Sequence, residues 1–132
     1  MSREQDNKAI VGRWFDGFWG NPWNPKIIDE LAAPDILLQY SLHQPRRGRE
    51  DVMEFMTGFR EAFPDLNFWG AADLIAEGDY VVVECRGRVT TKAGLPYNNT
   101  YCYVIRLEGG KLRELTDYQD TALVEDALGD PT

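Results

Sequence analysis

Up to residue 64 the apolar residues recur every three or four positions; from residue 65 onward they recur every second one. A 3.6-residue period buries one side of a helix and a period of two buries one face of a strand. The switch therefore divides the chain into helices followed by a sheet. In "NKAIVGRWFDGFWG", Ile10, Trp14 and Phe18 recur every four residues with Val11 and Phe15 beside them, a helical stripe ending near Gly20. In "NPKIIDELAAP", Asn24 is placed to cap a short helix, Pro25 to fill its first position and Pro34 to stop it. "DILLQYSLH" reads as a short strand. "REDVMEFMTGFREAFP" reads as a helix with Val52, Phe55, Met56 and Phe59 on one face and Pro64 at its end.

The second half contains "DLNFWGAADLIA", "YVVVECRGRVT", "YNNTYCYVIRL" and "LRELTDYQDTALV", joined by the Gly-containing segments "EGD", "KAGLP" and "EGGK". Four successive runs of this kind predict an antiparallel meander. Helices first and strands second predict an α+β domain with the helices packed on one face of the sheet. Strong curvature would turn such a sheet into a cone around the N-terminal helices, with a pocket inside.

The 132 residues are expected to form a single domain, 1–132, since no repeat or linker interrupts them. A formal charge of −8 disfavours nucleic acid and anionic membrane surfaces as partners. No run approaches the roughly 20 apolar residues of a membrane span, and the polar start "MSREQDNKAI" does not read as a signal peptide. Cys85 and Cys102 form neither a metal motif nor a disulfide framework, which fits reduced thiols in a cytoplasmic protein. No phosphate loop, nucleotide motif or metal-ligand spacing is present, so neither cofactor nor metal is expected.

Residues 94–121, "GLPYNNTYCYVIRLEGGKLRELTDYQDT", together with "AFPDL" after the third helix, resemble the nuclear transport factor 2-like superfamily, and within it the SnoaL-like and ketosteroid-isomerase-like proteins. The resemblance covers nearly the whole chain. It implies a cone-shaped α+β fold, usually dimeric through the outer face of the sheet, which is shared by isomerases, cyclases, epoxide hydrolases, dehydratases and non-catalytic pockets. Fold does not settle function among these. The last two strands, with the Asp117-Tyr118-x-Asp120 ending, are also similar to limonene-epoxide hydrolases. Those relatives carry Arg and then Asp on the preceding strand, where this chain has Glu84 and Arg86 in the reverse order.

The acids of "ELTDYQD" pose the functional question. Alternation sends Asp117 to one face and Glu114 and Asp120 to the other. A two-residue turn at Gly109–Gly110 would pair Asp117 with Cys102. A three-residue loop with a glycine bulge would pair it with Tyr101 or Tyr103. The second arrangement is expected, and the resemblance also implies an inward acid. If Glu84 pairs with Tyr103, then Arg86 falls opposite Tyr101 and Arg88 opposite Asn99, one face dense in hydrogen-bonding groups. Cys85, Thr100, Cys102 and Val104 would form the other face, small, apolar and suited to a homodimer interface.

Two readings of Asp117 follow: a cavity carboxylate that transfers a proton, assisted by Arg86, Glu84 and Tyr hydroxyls, or a structural partner of Arg86. His43, the only histidine, follows Tyr40 at the end of the first strand. It is either an acid–base group at the pocket, as in SnoaL-like relatives, or an exposed loop residue. Trp14, Phe15, Phe18, Met53, Met56 and Phe59 are expected on the helical walls, as core, as ligand contacts or as both. The expected function is cofactor-free acid–base chemistry on a small hydrophobic carbonyl, hydroxyl or epoxide compound, as isomerase, cyclase, lyase or hydrolase. The alternative is a non-catalytic ligand-binding or scaffold protein of the same fold.

Overall fold

The first helix begins earlier than its apolar stripe. Ser2 Oγ accepts the Gln5 backbone N–H at 3.1 Å while Gln5 Oε1 accepts the Ser2 N–H at 3.3 Å, a reciprocal cap that satisfies two end groups. α1 then runs Arg3–Phe18, followed by α2 (Ile27–Leu31), β1 (Ala32–Tyr40), β2 (Arg46–Arg47) and α3 (Arg49–Ala62). The remaining strands are β3 (Asn67–Trp69), β4 (Leu74–Glu77), β5 (Tyr80–Thr90), β6 (Pro96–Glu108) and β7 (Lys111–Gln119). This computed structural model describes residues 2–18, 23–40, 44–63, 67–69, 74–90, 94 and 96–122.

The architecture is the expected α+β cone: a curved, unclosed sheet in the order β2-β1-β7-β6-β5-β3, with β4 also paired to β5. Helix α1 packs on β4 and β5 while α3 packs on β1 and β2, so the helices cover one face of the sheet. Trp14, Val11, Met56, Ile36, Leu38, Tyr103, Ile105 and Leu115 are fully buried between the layers. At roughly 1.5–3 kcal/mol for each large apolar side chain, this layer is the main source of stability. Helices α1 and α2 approach closely at Gly17, where a Cβ would lie 2.8 Å from Ile27 Cγ2. Among the described residues, no helix is long and apolar enough to cross a membrane.

Three features depart from the simple meander. The segment expected as one strand from residue 65 forms two, β3 and β4, both antiparallel to β5. The last strand has a parallel neighbour, β1, whose Tyr40 lies beside Asp117 in register. The β5–β6 register pairs Glu84 with Cys102, Arg86 with Thr100 and Arg88 with Asn98. That is one residue away from the expected pairing. A one-residue slip turns every side chain to the opposite face. Val81, Val83 and Cys85 are therefore buried with Tyr101 and Tyr103, whereas Glu84, Arg86 and Arg88 are exposed. Burying three charged side chains would cost far more than exposing them, so the charges decide the register.

Candidate active site

A bulge turns Asp117 inward. Gly109 and Gly110, at φ 59° and 79°, form the two-residue turn that closes Glu108 against Lys111. That turn alone would carry Asp117 to Cys102. Further along, however, Leu107 pairs with Leu112 and Arg106 with Glu114, leaving Arg113 as an extra residue on β7. Asp117 thereby pairs with Tyr103. The expected inward placement is thus reached with the bulge inside the strand, not in the turn.

Asp117 is 1% exposed, between Tyr40 on β1 and Tyr103 on β6. Burial raises its carboxyl to about 7, and the Tyr40 hydroxyl, donating to it, holds it from rising further. Gln119 Nε2 donates to Asp117 Oδ2 at 3.4 Å. At neutral pH such a group is present in both protonation states, as a proton-transfer residue requires. Tyr103 is fully buried, and its hydroxyl has no hydrogen-bond partner among the described residues. Burial first, and the Asp117 charge second, hold that phenol well above its ordinary value, so it stays a neutral donor. Burial, assisted by Asp117, likewise pushes the Cys85 thiol up to about 12, which removes it as a nucleophile.

Aromatic packing fixes these groups. Phe15 meets Tyr103 edge-on at 5.1 Å, and Tyr101 stacks beside Tyr103 at 6.2 Å. Tyr40 packs on Phe55 at 4.9 Å and on Phe59 at 6.5 Å. Such pairs contribute about 0.5–1.5 kcal/mol each beyond their buried area. Trp14 and Met56 lie deeper in the core, and Met53 packs against it while half-buried. Asn99 is buried too, but its amide is engaged in tying strand ends together. Its Nδ2 donates to Gln119 Oε1 at 3.4 Å and to the Asp120 carbonyl at 3.1 Å, while its Oδ1 accepts the Asp120 N–H at 3.3 Å. Asn99 thus orients Gln119, which in turn contacts Asp117.

Several expected site residues lie elsewhere. Glu84, Arg86 and Arg88 point to the outer face, so they form no acid–base network with Asp117, and Arg86 is not its structural partner. Cys85 belongs to the inner face and leaves the expected dimer surface. His43 and the side chain of Phe18 fall outside the described residues. Sequence reasoning missed Gln119. Gln119 was detectable from alternation, being two residues beyond Asp117 on the same strand. Among the described residues, no three His, Cys, Asp or Glu side chains converge as a metal site would require.

Residues 9–128 match the SnoaL-like polyketide cyclase family. Sequence comparison with the curated proteins finds no match. Among solved structures, a SnoaL-like protein from Jannaschia sp. CCS1 superposes with a TM-score of 0.86 at 24% identity, over 100% of this chain and 98% of that one. An NTF2-like protein of unknown function from Burkholderia pseudomallei K96243 gives 0.82 at 21% identity, over 96% and 98%. TerC, co-crystallized with polyporic acid, gives 0.81 at 18% identity, over 93% and 98%. At these identities the likeness concerns the fold.

Proposed function

The chain belongs to the SnoaL-like polyketide cyclase family, and on that premise we propose that it is a cofactor-free enzyme moving a proton at a carbon next to a carbonyl group of a small, largely apolar substrate. The observation that carries the reading is Asp117, buried, titrating at about 7 and paired in register with the fully buried Tyr103, whose hydroxyl has no hydrogen-bond partner among the described residues. The ionised carboxylate removes the proton from the α-carbon, and the electron pair moves onto the carbonyl oxygen. Tyr103 O–H donates to that oxygen as its charge develops, in a water-poor setting where such a bond is strong. Tyr40 and Gln119 hold the carboxylate in place. The enolate carbon then attacks a second carbonyl of the same molecule, a C–C bond closes the ring, and the new alkoxide takes the proton from Asp117. The co-crystallization of TerC with polyporic acid supports a small-molecule ligand for this fold.

The test is exchange of α-hydrogens for deuterium in a panel of small apolar ketones and 1,3-diketones in heavy water. Exchange above the buffer rate is expected, rising with pH as Asp117 ionises around 7. No exchange at any pH across the panel would favour the non-catalytic ligand-binding or scaffold reading.

The proposal also has the protein working in the cytoplasm as a homodimer through the outer face of the sheet. Ile75, Val82, Val104 and Thr116 line up across four neighbouring strands on that face, with Ile75 69% exposed and Tyr118 57% exposed nearby. A row of this kind is a liability for an isolated chain. Light scattering is expected to give twice the chain mass at micromolar concentration, and Val104→Lys to shift it toward the monomer. A wild-type monomer under those conditions would remove this part of the proposal.

A further inference from the structure

We propose that Asn99 is a positioning residue for Asp117: it locks the Gln119 side-chain amide with its N–H, not its C=O, turned to the carboxylate, which favours the ionised form. This assignment rests on the reading of Asp117 as the group that removes the substrate proton, and it adds what keeps that group ready to do so. Asn99, Tyr101 and Tyr103 share one face of β6, and Asp117 and Gln119 share the same face of β7. The last described pair between the two strands is Tyr101 with Gln119, so Asn99 lies one step beyond it, 3% exposed.

Three backbone groups fix the Asn99 amide. Its Oδ1 accepts the Thr100 N–H at 2.8 Å and the Asp120 N–H at 3.3 Å, while its Nδ2 donates to the Asp120 carbonyl at 3.1 Å. The flipped amide would set donors against two N–H groups and an oxygen against a carbonyl, so the backbone accepts only one orientation. The same Nδ2 donates to Gln119 Oε1 at 3.4 Å, which engages that oxygen and leaves Gln119 Nε2 directed at Asp117 Oδ2, also at 3.4 Å. Orientation passes from the backbone to Asn99, to Gln119 and then to the carboxylate. Both contacts are long for N–H···O bonds, so what they supply is direction more than strength. Direction matters because a glutamine amide has nearly the same shape after a half turn. A donor facing a carboxylate favours its charged form, whereas a carbonyl there accepts the acid's O–H and favours the neutral one. A freely turning Gln119 would average the two. The titratable groups around Asp117 on the described strands are Tyr40 on β1, Tyr101 and Tyr103 on β6 and Cys85 on β5, none of them a cation. Helices α1 and α3 add the uncharged rings of Phe15, Phe55 and Phe59. In such surroundings the direction of a neutral dipole weighs heavily.

The experiment is a double-mutant cycle in the full-length protein, read as the pH of the Asp117 carboxyl-carbon NMR transition and of the bend in ketone α-exchange. Asn99→Ser keeps a hydroxyl for the neighbouring N–H groups but is too short to reach Gln119. It is expected to raise the transition from about 7 by about half a unit, and Gln119→Leu, which removes the donor outright, by about one unit. In the Gln119→Leu background, Asn99→Ser should add no more than about 0.2 unit, within the scatter of uncoupled changes. If Asn99→Ser does not fold, Asn99→Asp takes its place, retaining the backbone acceptors but presenting an oxygen to Gln119. It should then move the transition further with Gln119 present than with leucine there. An equal shift in both backgrounds overturns the proposal, as does a lower melting temperature with the transition unmoved, the mark of a purely structural tie. A wild-type transition near the ordinary 3.8 would overturn the Asp117 reading and the relay together. One near 7 without coupling would overturn the relay alone.

Discussion

Asp117→Asn is expected to lower turnover by about 10²–10⁴-fold, the range for loss of a general acid–base group, and to yield a more stable protein at alkaline pH. The two effects share one cause. Below 3.8 the carboxyl is protonated in both folded and unfolded chains, and its ionisation costs folding nothing. Between 3.8 and about 7 the folded chain retains a proton that the unfolded chain has released, so stability falls as pH rises. Above about 7 the penalty is complete. A displacement of that size corresponds to about 4 kcal/mol. Asparagine keeps the shape and removes the penalty, although its new N–H donors lack assigned acceptors at about 1–3 kcal/mol. A net gain of about 1–3 kcal/mol is therefore expected above neutrality, turning into a net loss of about 1–3 kcal/mol in acid, where the carboxyl carries no ionisation penalty and the amide's unmatched donors remain. Thermal melts of both proteins across pH check it. Arg86 does not enter this balance, because it is exposed on the opposite face.

Tyr103→Phe is expected to have the second-largest effect. Removing an aligned donor to a developing oxyanion costs about 10²–10³ in kcat. The same change deletes a buried hydroxyl that has no partner among the described residues, which relieves rather than creates an unsatisfied group. Phenylalanine preserves the edge-on contact with Phe15, so the fold should be equally or more stable. A purely structural tyrosine would show the opposite pattern, with stability lost and activity kept. Paired kinetics and melts of the variant decide between them. Two facing residues that both disfavour folding are the mark of a site retained for another purpose.

Helices α1 and α3 were legible because their apolar stripes are long and strongly periodic, and the last strands because glycine turns bracket them. The inward side of Asp117 was legible as well, although its cause was misplaced. A bulge at Arg113 has no glycine to announce it, whereas the turn has two. The β5 register failed for a different reason. Glu84, Arg86 and Arg88 attract attention as chemistry, but the alternate positions Val81, Val83, Cys85 and Gly87 form an apolar strip that already identified the buried face. Reading the period before the chemistry would have placed the charges outside. The parallel pairing of β1 with β7, which brings Tyr40 to Asp117, joins segments some 77 positions apart in register. No local pattern encodes such a contact. Asn99 illustrates the remaining gap, since its residue type suggested ligand binding while its hydrogen bonds tie β6 to the end of β7.

The central claim, that Asp117 is a buried carboxyl poised to exchange a proton, is tested most directly by following its side-chain carboxyl carbon by NMR across pH. The account predicts a transition at about 7, coinciding with the bend in the exchange rate of ketone substrates. A carboxyl that titrates near the ordinary 3.8, with no transition close to neutrality, would contradict it.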